Sequence, residues 1–217
     1  MQKSANSIVF HLTMFHWAWL AVLLLACMVA SINPLTPSSY WLHQLGTLLF
    51  VIGLMLPTLK GWVSRIGFVG AMLFLLLHVL GAHYLYSYVP YNDWFIHLLG
   101  WDINATFDWS RNMYDRLVHL MYGFLLYPLI ADVMRRCFAQ SGRVAIALLS
   151  IQFVMASSVF YEFIEWWIAL GMSPEEAENY NGQQGDIWDA HADMALATLG
   201  SILAATMAWI RSKSPSQ

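Results

Sequence analysis

Charge is what this sequence has least of. Asp, Glu, Lys and Arg together make 11% of its 217 residues, and the formal net charge is only −3. Without a basic excess the chain has no electrostatic footprint for nucleic acid. Cysteine is nearly missing too. Cys27 lies in an apolar run and Cys137 among arginines, so the two form neither a disulfide nor a redox or metal motif. No glycine-rich phosphate loop, Walker motif or nucleophile elbow occurs, which leaves out the commonest nucleotide and serine-hydrolase chemistries. Apolar bulk takes the place of charge: 59% of residues are hydrophobic and the mean hydropathy is +0.55. That composition is the signature of an integral membrane protein. The 11 Trp and 10 Tyr suit membrane–water interfaces, where such rings anchor helices. "LLAC" at Leu24–Cys27 loosely matches a lipoprotein signal. The single Lys3 ahead of it and the long apolar run predict an uncleaved first helix instead.

Six apolar stretches reach spanning length, at about 15–32, 41–59, 66–88, 114–133, 144–170 and 187–210. They predict an all-α polytopic bundle of six transmembrane helices, one integral membrane domain over 1–217. Breakers separate the spans: "NPLTPSS", Pro90 and "GMSPEE". The connection Val89–Met113 contains "YNDWFIHLLGW", whose mixed spacing predicts a short interfacial helix. Lys3, Lys60, Arg65, Arg135, Arg136, Arg143, Arg211 and Lys213 all fall on one side of such a bundle. By the positive-inside rule that side, with both termini, is cytoplasmic. Only Arg111 and Arg116 lie opposite, at the outer start of the fourth span. The location expected is a bacterial inner membrane.

Polar residues inside the spans gather at one depth. Counting from the cytoplasmic basic residues at 1.5 Å per residue places His119 at about 24 Å and His83, Glu162 and Asp193 at about 27–28 Å. Asp115, Glu165 and Asp189 come at roughly 30–33 Å. Spacing adds direction. Asp115 and His119 share one face of the fourth span, Glu162 and Glu165 one face of the fifth. Asp186, Asp189 and Asp193 share a face of the sixth that continues through Ala197, Gly200 and Ala204. Small residues permit close helix approach, so this acidic stripe is expected to face the bundle interior. His191 is about 200° away from Asp189 and Asp193 on a regular helix and is expected to point elsewhere.

Bare carboxylates on converging faces repel, so protons, Arg111 and Arg116, or a metal must neutralise them. The metal reading takes His119, Glu162, Glu165, Asp189 and Asp193 as ligands for a divalent ion, Mg, Mn, Ca or Zn. The acid–base reading takes Glu162, Glu165 and Asp115 as catalytic groups, with Arg111 and Arg116 holding an anionic substrate. Plain structural roles stand beside these. Asp186 reads as a helix cap. His78 reads as a packed, hydrogen-bonded residue, and His43 and His97 as interfacial. His11 and His16 lie on the wrong side for the layer.

"NMYDRLVHLMYGFLLYP" (Asn112–Pro128), "YEFIEWW" (Tyr161–Trp167) and "GQQGDIWDAHADM" (Gly182–Met194) resemble the YjdF-type bacterial inner-membrane proteins, a multi-spanning family without assigned function. The resemblance covers nearly the whole chain. It implies a polar signature at Asn112, Asp115, Arg116, His119, Glu162, Glu165, Asp186, Asp189 and Asp193. Here "DAHADM" departs from the family's D-T-Q-W-D-M form, and a Gln at position 191 agrees with His191 facing away. In layout the segment also is similar to VanZ-like membrane proteins, which implies envelope or lipid-linked substrates. Three functions follow as expectations. The first is a metal-dependent enzyme on a lipid-linked or phosphorylated envelope substrate. The second is a proton-coupled small transporter, and the third a structural or partner-binding membrane protein. Oligomeric state is not written in the sequence.

Overall fold

The computed structural model describes residues 12–213, so Lys3 and His11 fall outside it. All regular structure among the described residues is helical: α1 Met14–Ala30, α2 Pro37–Leu59, α3 Arg65–His83, α4 Tyr91–Leu99, α5 Ile103–Phe107, α6 Tyr114–Cys137, α7 Arg143–Ala169, α8 Pro174–Asn181 and α9 Asp189–Lys213. Five of these, α2, α3, α6, α7 and α9, are long and apolar enough to cross a membrane. α1 is a shorter apolar helix of 17 residues, about 26 Å at 1.5 Å per residue. The chain is therefore a polytopic helical bundle, as its apolar runs predict.

Several boundaries differ from the expected spans. α2 starts at Pro37 where 41 was expected, α6 runs to Cys137 where 133 was expected, and α9 runs to Lys213 where 210 was expected. Two further shifts have clear local reasons. The third apolar run was expected to stay helical to residue 88, but α3 stops at His83. Leu85 and Tyr86 turn left-handed, with φ of 50° and 52°, and the Tyr86 amide donates back to the Gly81 carbonyl at 2.8 Å. Tyr86 thus folds its ring over Gly81, where a Cβ would sit 2.7 Å from the ring. In α9 the helix begins at Asp189, not 187, because Gln184 and Gly185 occupy positive φ just before it. "GMSPEE", read as a breaker, also starts a helix. Ser173 and Glu176 form a capping box at the head of α8, the reciprocal S-x-x-E pairing that satisfies two free amides. The Val89–Met113 connection holds two short helices, α4 and α5, where one was expected.

α6 is the centre of the bundle. It packs on α3, α7 and α9, while α1 and α2 rest on α3 and α8 on α7. Glycine sets the closest approach. A Cβ on Gly123 of α6 would lie 1.8 Å from the Ala197 carbonyl oxygen, and one on Gly200 of α9 would lie 2.0 Å from that of Leu120. The α6 and α9 backbones therefore touch along the small-residue face predicted for the sixth span. Beneath the polar layer, Leu54, Phe68, Met72, Leu75, Leu126 and Val154 close the interior with apolar packing. At the other end of α6, buried Asp132 accepts the Ser64 amide at 2.8 Å and Arg135 at 2.6 Å. This acid, missed in the sequence reading, ties the start of α3 to α6.

Candidate functional site

The start of α6, the end of α7 and the start of α9 carry the polar layer. Its centre is Arg116, buried on the first turn of α6. One terminal nitrogen donates to the Asp193 carboxylate at 2.7 Å and to the Asp189 carbonyl at 2.8 Å. The other donates to Asp189 at 2.7 Å and Asp186 at 2.9 Å. Arg111 reaches the same Asp189 oxygen at 2.8 Å, Asp186 at 3.4 Å and the Gly182 carbonyl at 2.9 Å. The three aspartates do share one face of the chain entering α9, and that face meets two guanidinium groups. The charge-assisted geometry is the strong kind. It pairs both arginines with this chain's own carboxylates, the neutralising role that the sequence offers them beside that of holding an anionic substrate.

A pair of amides locks the loop in place. The Asn112 amide donates to Gln184 Oε1 at 2.9 Å, and Gln184 Nε2 donates to the Asn112 carbonyl at 3.1 Å. Gln184 carried no sequence signal beyond standing in a turn. Asp186, expected as a cap, instead closes a turn just before α9 by accepting the Trp188 amide at 2.9 Å, as well as joining the arginines. That amide first, then the two arginines, holds its carboxyl below the usual aspartate range. His191 is exposed and lies edge-on against Trp188, facing away as predicted.

The expected five-residue ligand set is divided among three surroundings. Asp189 belongs to the arginine clamp. Asp115, His119 and Asp193 come together instead, with one ligand atom each within 4.8 Å of the others. His119 Nε2 stands 3.6 Å from Asp115 and 4.0 Å from Asp193, too far for hydrogen bonds. Glu162 faces the same charges, Asp193, Asp189 and Arg116, and its Oε1 is buried without a hydrogen bond. Glu165, one turn on, points into a cavity. The rotation of α9 decides this division, because it places Asp189 against Arg116 and leaves Asp115 beside His119.

That cavity, of about 460 Å³, lies between α2 and α7, within the roughly 300–1,000 Å³ typical of small-molecule sites. Its polar end holds Asp115, His119, Glu165, His78, Tyr86 and Tyr180. Asp115 is only 7% exposed, and no hydrogen bond reaches it among the described residues. His43, read as interfacial, is buried and stacks on Tyr180 with ring centres 4.9 Å apart. His78 takes the packed role expected of it, between the His43 carbonyl at 3.2 Å and the Tyr86 hydroxyl at 2.5 Å. Burial, then the Glu165 charge, pushes the Tyr180 phenol above its ordinary range, so it is neutral at pH 7. His83 lies apart, with Nδ1 2.8 Å from the Ala30 carbonyl at the end of α1. His97 is exposed on α4, and His16 caps α1 with Thr13.

Similarity to known proteins agrees with this architecture. The chain is 30% identical over 163 residues to the inner membrane protein YjdF of Escherichia coli (strain K12), covering 75% of this chain and 74% of that protein. No solved structure matches it. The VanZ-like layout finds no support in these matches. A family model described as "Predicted membrane protein (DUF2238)" matches residues 15–214. The chain belongs to this DUF2238 family of membrane proteins.

Proposed function

We propose that the protein is an inner-membrane enzyme that performs acid–base chemistry on a lipid-linked envelope substrate. Asp115 and Glu165 act as the proton-transferring carboxyls, and His119 sits beside Asp115. Both termini lie in the cytoplasm, with the site at the outer face. The observation that carries the reading is a buried carboxylate, Asp115, without a hydrogen bond at the end of a cavity. A desolvated acid without a hydrogen bond is costly, and such groups concentrate at working sites. Arg111 and Arg116 act as positioning residues that fix α9 against α6. The apolar packing of Leu75 and Val154 below the layer favours a closed site over a transport pathway.

The test is conversion of lipid. Envelope lipid extract incubated with purified protein should lose one lipid-linked species and gain another by mass spectrometry. Asp115→Asn and Glu165→Gln should each stop the conversion at an unchanged unfolding midpoint. Absence of conversion by the wild-type protein, or its survival in both variants, overturns the reading.

A second reading adds a divalent ion as cofactor. The 3.6 and 4.0 Å gaps of His119 to Asp115 and Asp193 suit ligands facing a common ion at roughly 2.0–2.6 Å. The orphan Glu162 oxygen stands ready as a further ligand. Protein dialysed against metal-free buffer should then keep about one ion per chain, lost in Asp193→Asn. Metal-free wild-type protein removes this version alone.

A further inference from the structure

We propose that the cavity admits a long-chain amphiphile sideways from the bilayer, between α2 and α7, with a hydrogen-bond-donating head, amine or hydroxyl, against Asp115 and Glu165. This rests on the polar end being the working site, and it names the substrate class and its route.

The route follows from which helices touch. α2 packs on α3, and α7 packs on α6, α8 and α9; the cavity occupies the space between α2 and α7. Its walls there are Leu42, Leu45 and Leu49 on one side and Phe160, Ile164 and Ile168 on the other. Leu45, Leu49 and Phe160 line the cavity, yet are 51%, 60% and 55% exposed. A wall residue that is also half-exposed marks an open flank. Both helices are long and apolar enough to span the bilayer, so the flank faces hydrocarbon. Only an apolar chain enters there without losing hydration. Gly46 stands on the same wall with nothing within 4 Å of where its Cβ would be.

The head group follows from charge. The charged side chains in the lining are Asp115 and Glu165, both hydrogen-bond acceptors when ionised. The terminal nitrogens of Arg116 are turned to α9. A bare phosphate would meet like charge, while a hydroxyl or ammonium meets the acceptor that Asp115 leaves open. The Tyr86 and Tyr180 rings beside it suit an ammonium equally.

The experiment is photolabelling of the full-length protein in lipid nanodiscs with a hexadecylamine carrying a diazirine on its chain. Labels should concentrate on Leu42, Leu45 and Ile164, at least five-fold over the exposed α1 positions Leu24 and Leu25. Unlabelled hexadecylamine and hexadecanol should compete, and hexadecyl phosphate should not. Gly46→Trp, which fills open space, should cut cavity labelling at least five-fold and leave Leu24 and Leu25 unchanged. Asp115→Asn should abolish the preference of hexadecylamine over hexadecyl phosphate. Even labelling of cavity and α1 positions, labelling indifferent to Gly46→Trp, or equal competition by hexadecyl phosphate would each overturn the inference. Catalysis is not read in this assay. Selective labelling without lipid conversion therefore leaves the inference standing and removes only the enzyme reading; conversion with even labelling does the reverse.

Discussion

Arg116 shows how one side chain organises the layer. It satisfies four acceptors at the start of α9, among them the carboxylates of Asp189 and Asp193, which are 4% and 2% exposed. Removing one partner of a buried ion pair strands the other and costs about 3–5 kcal/mol. Arg116→Ala should therefore lower unfolding free energy in detergent by that order. Arg116→Lys should recover only part of it, because a compact ammonium lacks the planar fork that meets several acceptors at once. Combining Arg116→Ala with Asp193→Asn should cost clearly less than the two single changes added together. Full additivity in that cycle would mean that the contact carries no coupling.

At the scale of helices, the decisive contact is α6 on α9. Gly123 and Gly200 meet the opposing backbone directly, so any Cβ there forces the helices apart. Overpacking of this kind costs typically 1–3 kcal/mol and sometimes more. Gly200→Ala should destabilise by that order, read as a lower unfolding midpoint. It should also move Arg116 relative to Asp193, since both lie on the same helix pair. Gly53→Ala in α2, where nothing lies within 4 Å of the Cβ position, should be tolerated. Equal effects at the two glycines would exclude close approach as the cause. The helical period made the acidic and small-residue face of α9 legible in advance, because residues three and four apart share a face. The ends of α3 and α9 were not legible in this way. They depend on left-handed turns in which Tyr86 folds over Gly81 and Gln184 pairs with Asn112.

For the whole molecule, the charge bias of the connections gives orientation a direct check. Cys137, the last residue of α6, is exposed, on the side that carries Arg135, Arg136 and Arg143. In a Cys27→Ser background, a membrane-impermeant maleimide should label Cys137 only after the cells are opened. A cysteine introduced by Glu178→Cys on exposed α8 should label in intact cells. Labelling of Cys137 in intact cells would reverse the orientation. What the sequence alone determined was the helical class, the set of apolar runs and which polar residues share a helix face. Each depends only on composition, run length and helical period. Tertiary structure alone decided which carboxyls are neutralised and which stay open. Asp186, Asp189 and Asp193 are held by Arg111 and Arg116, while Asp115 and Glu165 are left facing a cavity. Helical spacing fixes a face within one helix. The rotation of that helix against its neighbours is set by backbone contacts from distant parts of the chain, at Gly123 and Gly200.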